Sequence, residues 1–332
     1  MSNVHEPGTL AVTGGKAPVD PPSGAEPRRI PVDPGPLRVP VARYLQTLSE
    51  AAAADSVAAV ATRDDIVRVA DRQGVSVVVA AQTVLEDTCT WPAVSRFRLL
   101  NYLKAGLADV SVAAHYGWQT DPLRPGEQDL HILTLQPETG RLLASALLRR
   151  PAVSAGARMA DRDRPLLLVE ETFGIGVYDR IPEVSALRVD EVAEVKRLVR
   201  DQDLRGIAGL RVALETTIAA CLAPLYAWDR SVQAWLGDIE PNVIGRLLSF
   251  LHARLHLVNA QPSPAPAGAD ALYLSQHFPV RRVRPFALLS TEAGPMHRRC
   301  AQVGAALALP DDKAARALAA LAASPAAQQE PR

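Results

Sequence analysis

"RDQDLRGIAGLRVALETTIAACL", Arg200 to Leu222, passes from charged residues through Gly206 and Gly209 into apolar residues at helical spacing. The start of a helix leaves backbone N–H groups unpaired and carries partial positive charge, which suits it to phosphate groups. The two glycines let a ligand approach the backbone with no side chain in the way. Lys196, Arg197, Arg200, Arg205 and Arg211 add local basic charge. Two readings follow: a cradle for a multiply phosphorylated ligand, or a glycine-bearing loop with a solvated basic face. No Gly-Lys-Ser/Thr ending and no Gly-x-Gly-x-x-Gly after a strand occur here, so neither familiar nucleotide loop is present.

Around that segment the chain is electrically balanced. Its 332 residues carry 36 basic and 36 acidic side chains, so no overall field draws it to a nucleic acid or an anionic membrane. Cys89, Cys221 and Cys300 are too few and too scattered for a disulfide framework or a CxxC zinc site. The start, "MSNVHEPGTLAVTGG", lacks the basic-then-apolar layout of a secretory signal. No uninterrupted apolar run approaches the ~18 residues of a membrane span. The expectation is a cytoplasmic protein with no nucleic-acid partner and no membrane span.

The pattern changes along the chain. Residues 1–38 are rich in Pro, Gly and Ala without apolar periodicity, which predicts a disordered arm. Val41 to Gly106 is mainly helical in period, with "VSVVVAA" open to either reading. "DLHILTLQPETGRLLASALL" has two short runs around Pro137, Glu138, Thr139 and Gly140, the signature of an antiparallel hairpin. Further strands are expected at "RPLLLVEETFG", "PEVSALRVD" and "SVQAWLGDI", a helix at "NVIGRLLSFLHARLHL", and a last strand pair or extended segment at "FPVRRVRPFALLS". Residues 311–322 read as a marginal Ala-rich helix. The order predicts a mixed α/β layer architecture.

On these residues a family resemblance rests. "DLRGIA", Asp203 to Ala208, is similar to the Gln/Arg-x-x-Gly-x-Gly/Ala motif of the GNAT acyltransferases, with Asp203 where the family has Gln or Arg. Within that superfamily, "HYGW", "EQDLHILTLQPETGRLLASALL", "RPLLLVEETFG" and "PEVSALRV" resemble segments of the acyl-homoserine-lactone synthases and N-acyl amino acid synthases. Glu183 and Ser185 match the family's Glu-x-Ser-Arg, but Ala186 stands where the arginine should. Leu147 stands where an arginine is expected in the second hairpin strand, with Arg149, Arg150 and Arg188 nearby.

The resemblance implies a central mixed, mainly antiparallel sheet flanked by helices, with a helical N-terminal lead-in. It divides the chain into the arm at 1–38, a helical region at 39–110, a GNAT-like acyltransferase domain at 111–310 and a tail at 311–332. It implies transfer of an acyl group from acyl-CoA or an acyl-carrier protein to a small amine. Gly206, Ile207, Ala208 and Gly209, with Arg205 and Arg211, would hold the donor's phosphates. Glu183, at the start of a central strand, would be the acid/base carboxylate and Tyr273 the acid; Trp118, Glu127, Asp129 and Ser185 would meet the acceptor. Each has a plainer reading as a solvated or packed side chain. Phe173, Trp235, Leu236, Phe250 and Leu251 either line an acyl groove or form ordinary core. His252 and His256 share a helical face but lack a third ligand and the glutamate of HExxH, so no metal is expected. His297 and Cys300 lack an orienting third group. The missing arginines leave a second class standing, a catalytically degenerate GNAT-like binding or scaffolding module, and Asp203 leaves a third, an interaction protein of mixed α/β fold without a cofactor.

Overall fold

The computed structural model describes residues 40–72, 74–108, 110, 114, 129–151, 156–228, 232–239, 254–261, 283–290 and 293–322. Within them lies one eight-stranded sheet: β1 (Val67–Arg72), β2 (Val75–Ala81), β3 (Leu130–Gln136), β4 (Arg141–Arg149), β5 (Val192–Arg200), β6 (Ala234–Ile239), β7 (Arg254–Leu257) and β8 (Arg284–Leu289). Their spatial order is β1-β2-β3-β4-β5-β6-β8-β7. Every neighbouring pair is antiparallel except β5 and β6. A parallel pair needs a long crossover, and helix α7 (Gly206–Ala227) supplies it.

The β3–β4 hairpin forms where the sequence predicts it. Gly140 takes the turn's left-handed position (φ +69°). A Cβ at that glycine would overlap the Ser56 hydroxyl, which itself donates to the Thr139 carbonyl at 3.1 Å. The turn is thereby docked on the segment leading into the short helix α2 (Ala58–Ala61). The lead-in helices α1 (Val41–Ala54), α2, α3 (Gln82–Asp87) and α4 (Trp91–Lys104) are present. Between them "VSVVVAA" resolves as β2, and the hairpin β1–β2 continues the sheet. β-branched residues on both faces explain the choice: Val77 and Val79 pack under α7, Val78 and Ala80 under α3 and α4.

Four sequence expectations change. Val67–Arg72, inside the stretch read as helical, is strand β1, so the region at 39–110 gives two strands to the sheet. "RPLLLVEETFG" holds helix α5 (Leu168–Phe173) instead of a strand. The Glu170 carboxylate accepts the Leu167 N–H at 3.0 Å at the helix start, and buried Arg164 grips the same carboxylate at 2.6 and 2.7 Å. "PEVSALRVD" holds the single turn α6 (Pro182–Ser185) and a 3-10 turn at Val189–Glu191; the central strand begins only at Val192. Proline at the first helical position favours that turn. Residues Arg254–Leu257, expected to end a helix, are strand β7, paired with β8. The arm at 1–38, most of that helix, most of the Pro/Ala-rich insert and residues 323–332 lie outside the described residues.

Helices α7, α8 (Ala293–Leu307) and α9 (Asp311–Ala322) cover one face of the sheet. On the other face, α3 and α4 cover β2–β4, while α5 and α6 cover β5, β6 and β8. Strand alternation keeps the layers apart: Trp235 and Ile239 point to the α7 side, Ala234 and Leu236 to the α5 side. Helix α7 is long and apolar enough to cross a membrane by length and composition, but 67% of that span is buried against the sheet and its neighbours. It is a core helix. Hairpin, central strand β5, glycine loop, helix α7 and second central strand β6 follow one another in the order the sequence resemblance implies.

Candidate functional site

Strand β5 is bent by a bulge. Its pairing with β4 jumps from Lys196↔Leu147 to Val199↔Ser145, so Arg197 and Leu198 stand opposite Ala146 alone. Arg197 takes a left-handed backbone (φ +56°), which is uncommon for a residue with a side chain and marks a held geometry. On the opposite side of β5, the parallel ladder with β6 runs from Val192↔Ala234 to Val195↔Gly237 and stops. The strands continue past that rung to Arg200 and Ile239. The backbone ladder therefore opens between the only parallel strands described, toward their carboxyl ends, close to where the chain turns into α7.

Buried charge lines the face of the sheet below this opening. Glu194 on β5 is 0% exposed. Its carboxylate accepts the N–H groups of Leu168 (2.9 Å) and Val169 (2.7 Å) at the start of α5. Burial outweighs these bonds and the neighbouring cations, Lys196 first, and pushes its pKa up to about 7. Lys196, two residues on and on the same face, donates to Asp238 of β6 at 2.6 Å. That ion pair spans the first rung at which the strand backbones no longer pair. Tyr178 inserts from the α5–α6 connection, its hydroxyl bonded to the Gly237 carbonyl (3.1 Å) and N–H (3.2 Å). Burial, with the nearby charge of Glu194, holds the phenol well above its ordinary pKa.

The polar stripe continues across β4 and β3. Arg149, opposite Glu194 in register, forks onto Asp129 with both bonds at 2.8 Å. His131 on β3 lies between Arg98 of α4, whose Nη2 reaches its Nδ1 at 3.0 Å, and Gln82, whose Oε1 lies 2.6 Å from its Nε2. A guanidinium only donates, so Nδ1 accepts and Nε2 carries the proton. Burial, then Arg98 and Arg149, hold the imidazole well below its ordinary pKa. Arg98 also donates to Ser145 at 2.9 Å, and Trp91 meets the His131 ring edge-on.

The loop at Asp201–Arg205 is tied down by its own side chains. The buried Asp201 carboxylate accepts Arg141 (2.6 Å) and the Asp203 N–H (2.9 Å). Asn101 of α4 accepts the Gln202 N–H at 2.8 Å. Arg200 folds back to donate to the carbonyls of Asp201 and Leu204. Gly206 starts α7 at φ +56°, with open space where a Cβ would stand, and Arg205, Gly206 and Ala208 are exposed. Gly209 is buried, and a Cβ there would crowd the Leu204 carbonyl at 2.8 Å.

The structure redistributes the sequence candidates. Arg205, Gly206, Ile207, Ala208 and Gly209 sit together at the start of α7. Arg211 is turned away and donates to the Leu309 carbonyl at 2.8 Å. Asp203, the departure from the family motif, pairs with Lys104 at 2.8 Å and is held below the usual carboxylate range by that bond. Glu183 is not on the central strand: it is exposed on α6 and pairs with Arg254 at 2.5 Å. A bond from its own backbone, then Arg254, holds its pKa low. Ser185 is on the same turn, its hydroxyl 3.4 Å from the Tyr178 carbonyl. Asp129 joins the buried stripe. Trp118, Glu127, Tyr273, Phe250, Leu251 and His252 lie outside the described residues, as does the His297 side chain. Phe173 and Leu236 pack on one face of the sheet and Trp235 on the other, so the three do not line one groove. His256 is on strand β7 instead of a helix. Cys300 is buried on α8, and burial pushes its thiol up to about 12.

Sequence reasoning missed Glu194 and Tyr178, and took Lys196 only as local basic charge beside the glycine loop. A signal was there: "EVKR", Glu194 to Arg197, carries the glutamate and arginine of the Glu-x-Ser-Arg pattern at the right spacing, with lysine for serine. It stands on the central strand, eleven residues after the match at Glu183.

No protein-family model matches the chain, and no curated protein matches it. Among solved structures it is similar to FeeM, an N-acyl amino acid synthase from uncultured soil microbes, at 13% identity over 67% of this chain and 94% of that one, with a TM-score of 0.38. It is similar to the AHL synthase LasI at 8% identity over 65% of this chain and 89% of that one, TM-score 0.37. A third likeness is to the CoA-dependent acyl-homoserine lactone synthase MesI, at 14% identity over 67% of this chain and 92% of that one, TM-score 0.34.

Proposed function

We propose that this chain is a cytoplasmic N-acyltransferase that moves an acyl group from a thioester, carried on CoA or an acyl-carrier protein, to a small amine. One observation carries the reading: a fully buried carboxylate, Glu194, with a pKa raised to about 7, at the opening between the parallel strands β5 and β6. Attack of an amine on a thioester forms a C–N bond and breaks a C–S bond. The amine must first lose the proton of its ammonium form, and a base with a pKa near the working pH does this best. Glu194 takes that proton. The second amine proton leaves with the departing thiol.

The other parts fit the same chemistry. The backbone of Gly206, Ile207, Ala208 and Gly209, with Arg205, meets the phosphates of the donor. Past Val195 the β6-facing edge of β5 is free of its ladder and offers N–H and C=O groups to an amide-bearing arm, as an open strand edge does to a peptide. Asp129, Ser185, Trp118 and Glu127 are assigned to the acceptor side, and Tyr273 keeps its expected role as an acid.

Thiol release from short, medium and long acyl-CoA thioesters, against a panel of amines, tests the reading. The wild type should turn over with at least one pair, and Glu194→Gln should not while still binding the thioester. Tight thioester binding with no turnover on any amine would favour a binding module; a Glu194→Gln enzyme as fast as wild type would remove Glu194 from the mechanism.

A further inference from the structure

The geometry points to Tyr178 as a positioning residue that fixes the β6 wall of the opening where pairing with β5 ends, and with it the path by which a thioester reaches Glu194. The second half of this statement rests on the acyl-transfer reading. The first half rests on contacts alone.

Gly237 is the last β6 residue in register with β5. A Cβ there would overlap the Val195 carbonyl oxygen and stand 3.0 Å from Phe286 Cε1. A side chain at this last paired rung would therefore collide with the β5 backbone. In this dry interior a backbone N–H or C=O without a partner is costly. At Gly237 a side chain serves both groups: the Tyr178 hydroxyl accepts from the N–H and donates to the C=O. Tyr178 is itself 2% exposed and packed among Val177, Ile181, Val184 and Leu236. The strand is thus fastened, at the rung where pairing ends, to the same layer that holds the Glu194 carboxylate through Leu168 and Val169.

A wall set by one hydroxyl moves when that hydroxyl is removed. In Tyr178→Phe the ring still fills its place, but Gly237 loses its partner. The strand end must shift to find another, and the opening between β5 and β6 changes width while Glu194 keeps its own partners. Binding of the arm should then suffer more than the proton transfer. A residue that served only the fold would weaken global stability and leave KM for the donor unchanged.

Hydrogen exchange of the unliganded protein, read by NMR, is measured together with donor kinetics. In Tyr178→Phe the Gly237 amide should exchange about tenfold faster or more, while amides of β3 and β4 keep their rates. Donor KM should rise about tenfold with kcat changed far less, and the ionisation near neutral pH should stay in place. An unchanged Gly237 amide, or an equal loss of protection across the sheet with unchanged KM, overturns the assignment. The exchange measurement needs no ligand, so it decides the role of Tyr178 at the wall even where no thioester is turned over. Absence of turnover in the wild type would fall on the acyl-transfer reading instead.

Discussion

Glu194 stands opposite Arg149 in the antiparallel register of β4 and β5, yet its carboxyl is pushed up to about 7. Arg149 is committed to Asp129 through two 2.8 Å bonds, and Lys196 to Asp238. Both cations still favour the charged form of Glu194, but burial outweighs them and decides its ionisation. The result is a carboxyl whose pKa lies near neutral, as the proposed acyl transfer requires of its base.

Turnover should therefore rise with pH through about 7 as Glu194 loses its proton. In Glu194→Gln turnover should fall roughly hundredfold or more, the usual size of a lost general base, and the rise near neutral pH should disappear. The pH profile of kcat at saturating thioester and amine checks both.

Glu183→Gln provides the contrast. Glu183 is exposed and paired with Arg254, and exposed pairs contribute little. Turnover and melting temperature should stay close to wild type. A loss as large as that of Glu194→Gln would return the catalytic carboxylate to α6.

How far the sequence reveals this protein depends on how local the deciding interactions are. The β3–β4 hairpin is legible because Pro137 and Gly140 set its turn within four residues, and α7 because its apolar residues repeat along one segment. Strand β5 is obscured by Glu194, Lys196, Arg197 and Arg200, which look like a solvated face. The groups that satisfy Glu194 and Lys196 are distant in sequence: Leu168 and Val169 precede Glu194 by 26 and 25 residues, and Asp238 follows Lys196 by 42. For the same reason "LLLVEETF" reads as a strand, because its start is capped from outside by Glu194 as well as by its own Glu170.

The start of α7 supplies a separate prediction. Gly206 is left-handed at φ +56° with open space around its missing Cβ. Gly206→Val should lose about 1–2 kcal/mol by forcing a β-branched residue into that region, and should weaken acyl-CoA binding. Gly206→Asn tolerates the backbone and should keep most of the stability, so any loss of affinity in that variant reports on ligand approach alone. Isothermal titration with CoA and denaturant melts separate the two effects.

Two buried groups push stability in opposite directions with pH. His131 has its folded pKa lowered below 6.5, so its contribution is present above that value and is lost as pH falls below it. Glu194 has its folded pKa raised from 4.5 to about 7. Its contribution is full below 4.5 and is lost as pH rises through about 7. Relative to wild type, Glu194→Gln should gain stability steadily between those two values, and the difference should level off above them. Thermal melts of the two proteins across this window, in one buffer series, show whether the carboxyl is as strongly buried in solution as its contacts require.

The pair spanning the opening gives the last test. Lys196 has a side chain 1% exposed and Asp238 one that is 12% exposed. Removing Asp238 alone, as in Asp238→Leu, leaves an ammonium buried without its carboxylate, a loss of about 3–5 kcal/mol for such pairs. Replacing both, as in Lys196→Met with Asp238→Leu, removes the unpaired charge and should recover most of that stability. The double variant should nevertheless turn over more slowly than wild type: Lys196 is the strongest of the cations that favour the charged form of Glu194. Without it the carboxyl should hold its proton to higher pH, and the rising limb of the kcat profile should shift upward. A double variant that is as stable as wild type and keeps the wild-type profile would show that Lys196 closes the sheet without tuning the base.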